Sequence, residues 1–234
     1  MKDKIINAAK SVGVELDDKK AQQLLDYYHL LIEWNEKMNL TAITDFDEVT
    51  GKHFADSLSC IKTGVFEGQN KTVIDVGCGA GFPSIPLKIA LPELDFTLVD
   101  SLNKRVTFLN CVIEKLGLTG IKTVHARAED SGRSSLRDSF DVCVARAVAS
   151  LPTLCELCLP HVKAGGYFVA MKGKDAQDEI KLSDNALKQL GGRLESVTDS
   201  GIPGLSHANI VIKKLSETNK KYPRKAGTPS KKPL

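Results

Sequence analysis

Apolar and polar positions alternate along this chain with two different periods, and the change falls near residue 71. Before it, Leu24, Leu25, Tyr28, Leu31 and Ile32 recur at spacings of three and four with polar residues between them, which predicts an amphipathic helix. A further helix is predicted near residues 2 to 12, ending at Gly13, and Asn39-Leu40-Thr41 marks a helix exit. Another helix is expected to start near Asp47 and run through His53 to Leu58. From Lys71 onward, short apolar runs ending at turn residues predict buried strands at 72–76, 96–100, 122–126, 140–146 and 166–172. Between and after them, helical spacing fits 84–90, 104–116, 151–162 and 177–190. Two late strands, 193–199 and 209–215, have no helix-length segment between them, so they should pair antiparallel. The pattern predicts an α/β fold: a doubly wound, mostly parallel sheet with an antiparallel C-terminal hairpin, preceded by a helical extension. Boundaries are expected at 1–64 for the extension, 65–215 for the sheet core and 216–234 for a tail.

Composition narrows the class. The 234 residues are 42% hydrophobic and 26% charged, a globular balance that excludes wholesale disorder. No window carries 18 uncharged apolar residues, and Met1-Lys2-Asp3-Lys4 does not begin a secretory signal, so a cytoplasmic location is expected. Six irregularly spaced cysteines read as reduced thiols. Cys155-x-x-Cys158 followed by His161 falls inside one predicted helix without a second ligand pair, so no metal is expected there.

Net charge is +3, yet the tail from Ser216 holds six basic residues against one acid, leaving the body slightly acidic. A solvated, disordered end and a polyanion contact both fit that composition. Tyr222, Pro223, Pro229 and Pro233 inside the run favour the second, since single-stranded nucleic acid rewards aromatics set among bases.

The densest chemistry lies at Asp75-Val76-Gly77-Cys78-Gly79-Ala80-Gly81-Phe82, after a predicted strand and before a predicted helix. The spacing is G-x-G-x-G, and Phe82-Pro83 stands where a dinucleotide fold keeps a small residue for its pyrophosphate. Asp100 ends the next strand, 23 residues after Gly77, where an acid can accept from both hydroxyls of a ribose. An adenosyl ligand without phosphate fits best, and S-adenosylmethionine is the expected cofactor.

This loop, together with 98–105, resembles that of class I methyltransferases, whose fold is Rossmann-like. More narrowly, the chain resembles the bacterial small-subunit ribosomal RNA guanine-N7 methyltransferases, the RsmG/GidB family. The resemblance also rests on 34–41, on His53-Phe54-Ala55-Asp56-Ser57-Leu58, on 126–129, on Val144-Ala145-Arg146-Ala147-Val148-Ala149 and on 222–229. It implies cofactor contacts at Gly77, Phe82, the Ala128-Glu129 pair and Arg146, with 16S rRNA or the 30S particle as partner; a monomer is expected. Read from the residues, Glu129 can equally be a helix N-terminal acid. Arg146, at the carboxyl end of its strand, suits either the methionine carboxylate of the cofactor or an RNA phosphate.

The segment after residue 146 is not the Asn/Asp-Pro-Pro-aromatic loop that commonly orients exocyclic amines, and no Pro-Cys marks a thiolate for attack on pyrimidine carbon. Guanine N7 has a lone pair and no proton to remove, so no catalytic base is assigned. Arg105, Lys172, Arg224 and Lys225 are expected to line one basic face for RNA. His53 and Asp56, three apart, fit a general acid–base pair but are expected instead to bond to each other and brace the extension, and Trp34 to pack it. Two other functions fit less of the sequence: a small-molecule methyltransferase, and a non-catalytic RNA-binding or assembly protein retaining the cofactor pocket.

Overall fold

A computed structural model describes residues 1–146 and 149–234. Helices α1 (Lys2–Ser11) and α2 (Asp18–Met38) open the chain, the second capped by Asp17, whose carboxylate accepts from the Lys20 amide. Asn39, left-handed at φ 48°, stops α2 where the sequence marks an exit. The helix expected from Asp47 begins one residue earlier and is not uniform. It comprises α3 (Phe46–Val49), a π-helical stretch Thr50–Ala55, α4 (Asp56–Ser59) and a 3-10 turn Cys60–Thr63.

Seven strands follow: β1 (Thr72–Val76), β2 (Asp95–Asp100), β3 (Ile121–His125), β4 (Phe140–Arg146), β5 (Val162–Lys172), β6 (Gly192–Asp199) and β7 (Ala208–Lys214). Their order is β3-β2-β1-β4-β5-β7-β6. The first five pair in parallel, and β7 inserts antiparallel between β5 and β6, so the late pair is antiparallel as its short connection requires. The crossovers carry α5 (Ser84–Ala90), α6 (Asn103–Lys115), α7 (Ala128–Ser131) and α8 (Leu151–Cys158). Beyond β5 come α9 (Ala176–Lys181) and α10 (Asp184–Leu190), and the tail ends with α11 (Thr228–Lys231).

Two elements depart from expectation. The helix predicted to 162 stops at Cys158, because Pro160 has no amide to continue it, and Val162 already begins β5. The helix predicted over 177–190 breaks at Leu182-Ser183 into α9 and α10. The break leaves Leu182 outside while Ala186, Leu187 and Leu190 turn inward.

Strand alternation divides the core in two. Val73, Val142, Val144, Val169 and Val211 face a cluster built with Leu24, Tyr27, Leu31 and Phe54 of the extension. Ile74, Cys143, Phe168, Ile210 and Ile212 face the opposite cluster, with Leu154, Cys155, Cys158 and Tyr222 of the tail. The extension therefore covers one face and the tail the other. Trp34 packs the extension against Phe108, with ring centroids 5.6 Å apart. Cys155 and Cys158 are core residues, and His161 bonds the Ser131 hydroxyl at 2.9 Å.

Candidate functional site

At the carboxyl ends of β1 and β4, where strand order reverses, a cavity of about 600 Å³ opens. Its size and its place at the topological switch point are those of a small-molecule site. Gly77, Phe82, Asp100, Ala128, Glu129 and Arg146, the six residues expected to hold cofactor, all line it.

The glycine loop is built tightly. Gly81 has φ 100°, and a Cβ there would lie 2.6 Å from Ile85 Cγ1 and 2.9 Å from Leu109 Cδ2, so only glycine fits. The amides of the loop point back into the protein: Gly77 and Cys78 donate to the Val99 carbonyl at 2.8 and 3.2 Å, and Gly79 donates to Asp100 Oδ2 at 2.9 Å. These amides make no nest for a phosphate. Asp75, fully buried at the end of β1, accepts from Ser84 Oγ at 2.7 Å, while its Oδ1 has no partner among the described residues. Burial pushes its carboxyl up to about 7. A ligand without phosphate above this loop suits its inward-turned amides, as S-adenosylmethionine does.

The geometry adds to some expectations and corrects others. Asp100, expected to present its carboxylate to ribose hydroxyls, lines the cavity and also has partners within the protein. Here Oδ1 accepts from the Leu102 amide at 2.8 Å, and Oδ2 from Gly79 and, at 3.4 Å, from Arg105 Nη1. Its carboxylate thereby ties the glycine loop to the start of α6 while standing at the cavity wall. Glu129 lines the cavity, but its Oε1 accepts from the Gly227 amide at 2.8 Å, which joins it to the tail. His53 and Asp56 do not bond each other: the imidazole meets Thr41 Oγ1 at 3.0 Å, and the carboxylate meets Arg146 and His207.

The expected continuous basic face is absent among the described residues. Arg105 turns to Asp100 and lines the cavity. Lys172 is paired with Glu179 at 2.9 Å and donates to the Ala149 carbonyl. Arg224 is committed to the buried Glu156. Of the four, only Lys225 is exposed; the others are half-buried. The tail is also no free arm: Tyr222 is buried and its hydroxyl donates to Gln189, so the ring cannot stack on a base. Composition registers charge but not the distant acid that neutralises it, which is why the sequence misled here.

Arg146 follows Val142 and Val144 on the even positions of β4, so alternation alone puts it on the extension's side of the sheet. Its guanidinium carbon lies 4.8 Å from the Phe82 ring centroid. Phe82 in turn meets the rings of Tyr27, His53 and Phe54. Burial and the nearby Arg146 charge push His53 down to about 4, so it is neutral at pH 7. Ala147 and Val148, part of the segment that replaces an amine-orienting loop, lie outside the described residues.

Leu40, Thr41 and Ser230 also line the cavity, and none was singled out from the sequence as a site residue. The segment 34–41 carried part of the family resemblance, a signal that could have found Leu40 and Thr41. Ser230 gave no signal, because its place depends on how the tail folds back.

The family described as GidB, rRNA small subunit methyltransferase G, matches residues 20–208. The ribosomal RNA small subunit methyltransferase G of Alkaliphilus metalliredigens is 51% identical over 231 residues, covering 97% of this chain and 96% of that protein. Its namesake in Staphylococcus carnosus is 51% identical over 234 residues, covering 98% and 97%. Among solved structures, a SAM-dependent methyltransferase from Aquifex aeolicus superposes with a TM-score of 0.56 at 16% identity, covering 74% of this chain and 96% of that one. M. jannaschii TYW2, solved in complex with AdoMet, gives 0.53 at 15% identity, covering 69% and 77%.

Proposed function

The chain belongs to the rRNA small subunit methyltransferase G family, and on that premise we propose that it methylates N7 of a specific guanine in 16S ribosomal RNA, with S-adenosylmethionine as donor. The observation that carries the reading is the cavity at the β1/β4 switch point, whose glycine loop folds its amides inward and so suits a donor with no phosphate. S-adenosylmethionine supplies an electrophilic methyl there: the guanine N7 lone pair forms the new N–C bond as the C–S bond breaks, the electron pair stays on sulfur, and the positive charge passes to the purine.

Gly77, Phe82, Asp100, Ala128, Glu129 and Arg146 would hold the donor, and Asp100 also keeps the glycine loop in shape. His53, at the wall, is pushed down to about 4 and is therefore a weak base, which suits a transfer that removes no proton. What the chain contributes is alignment and exclusion of water. N7 faces the deep, narrow major groove of A-form RNA, so the target guanine must lie in a loop or an opened helix. The exposed tail lysines 220, 221, 225, 231 and 232 suit RNA phosphates, which gives binding a steep salt dependence. No helix among the described residues is long and apolar enough to cross a membrane.

The test is methyl transfer from labelled donor to free 16S rRNA and to 30S particles from a strain lacking the gene, followed by nucleoside mass spectrometry. A single 7-methylguanosine in either substrate is expected, and the productive substrate identifies the form recognised. Label in neither substrate, or on a different atom, refutes the reading.

A further inference from the structure

Asp56 has no exposed surface, and its two oxygens are divided between partners far away in the chain. Oδ2 accepts from Arg146 Nη1 at 3.1 Å, at the end of β4, and Oδ1 accepts from His207 Nδ1 at 3.1 Å, just before β7. Arg146 also approaches the Lys52 carbonyl at 3.3 Å and His53 Nδ1 at 3.4 Å, and it lies against the Phe82 ring. Arg146, His53 and Phe82 line the cavity, whereas Asp56 stands behind them.

The chemistry makes this arrangement more than a brace. An arginine keeps its charge at any working pH. Here that charge sits at the wall of a site whose donor and methylated product are both cationic, in a setting where burial strengthens repulsion. A buried ion pair is a poor way to gain stability, because well-packed apolar residues often do as well. At a cavity wall, it can hold a charged group in one place and cancel its field. We infer that Asp56 is a positioning residue for methyl transfer, holding Arg146 against Phe82 and neutralising the charge it brings to the cavity. The inference rests on the methyltransferase reading above, but not on which purine atom is methylated.

Asp56→Asn keeps the shape and one acceptor but removes the charge. With the full-length protein, kcat is measured on the productive RNA or 30S substrate, donor Kd by calorimetry, and folding by thermal melting. Asp56→Asn is expected to lower kcat about 100-fold, the size of effect that misplacing a positioning group produces, and to weaken donor Kd by no more than about tenfold, because Arg146 is only one of the residues that hold the donor. In an Arg146→Gln background the same substitution is expected to change kcat by no more than about twofold, because the partner through which it acts is gone. Equal losses in both backgrounds overturn the inference, as does a lowered melting temperature with kcat intact. Should Asp56→Asn not fold, Arg146→Lys reads the pair from the other side. That variant keeps a cation facing Asp56 but loses the planar fork, and kcat is expected to fall about tenfold; unchanged kcat overturns the inference. The product nucleoside of the unaltered enzyme is identified in the same assay. A product other than 7-methylguanosine would sink the proposed target while leaving the Asp56–Arg146 coupling readable.

Discussion

The extension packs on one face of the sheet and the tail on the other, and each is fastened through an arginine and a buried acid. In the tail, Arg224 saturates Glu156: Nε donates at 2.9 and 3.0 Å, Nη2 at 2.5 Å and the Arg224 amide at 2.7 Å. In the extension, Asp56 shares itself between Arg146 and His207, and Arg146 keeps a face toward the cavity. The comparison teaches that one pair of residue types can make a clamp or a working part. What decides is where the pair lies: Arg146 ends β4 at the carboxyl edge of the strands and lines the cavity, and Arg224 does not.

The comparison breaks most readily at the clamp. Arg224→Ala strips its side-chain partner from a fully buried carboxylate, and the loss of unfolding free energy is expected to be about 3–5 kcal/mol. Denaturant midpoints measure it, and a loss below about 1 kcal/mol, typical of an exposed pair, would show that the tail is not held there. Donor affinity should also weaken, because the displaced tail carries Ser230 out of the cavity wall and releases Glu129.

Acid titration sharpens the contrast between the two faces. His161, bonded to Ser131 in the short helix beside the tail, is pushed by burial from an ordinary 6.5 down to about 4. Between those values the unfolded chain holds more protons, so stability falls as pH drops from 6.5 to 4, by about 3 kcal/mol for this group. His53 titrates in the same window, but at the cavity wall, so its protonation should also weaken binding of a cationic donor. Asp75 acts in the opposite sense. Its folded value near 7 means that stability is present at low pH and lost as pH rises toward 7, so the net slope is set by two histidines against one acid. Stability curves of His161→Gln should be flatter below pH 6.5 with donor affinity unmoved, and an unchanged slope would remove His161 from this account.

The smallest expected effect comes from the extension's grip on the glycine loop. Tyr27, fully buried, donates its hydroxyl to the Ala80 carbonyl. Tyr27→Phe leaves that acceptor unsatisfied and should cost about 1–2 kcal/mol, with a comparable weakening of donor binding seen by calorimetry. A stability loss with donor Kd untouched would show that the extension steadies the fold without shaping the loop.

The strands were legible because each carries its own local signature. Residues 72–76 and 140–146 are apolar runs bounded by turn residues, and their alternation even predicts the face on which Arg146 stands. The loop at Gly77–Gly81 was legible because its conformation excludes side chains, and the structure requires this at Gly81. The tail was not legible. Its lysines, arginine and tyrosine suggest a free polyanion-binding arm, yet Tyr222 is buried and Arg224 meets an acid in α8. Nor did the spacing of His53 and Asp56 reveal their roles. Three apart, they were read as partners of each other, while the partners they have are Thr41, Arg146 and His207.

By itself, then, the sequence determined the elements, the α/β class, the glycine-rich loop after β1 and the acid that ends the following strand, since each depends on spacings of a few residues. Only the tertiary structure decided which charges are spent within the protein and which remain for a ligand. Glu156 and Arg224 are 68 residues apart, Asp56 and Arg146 are 90, and Asp56 and His207 are 151. Pairing over such distances is set by how the sheet orders its strands and how both ends of the chain wrap its faces, which no local pattern encodes.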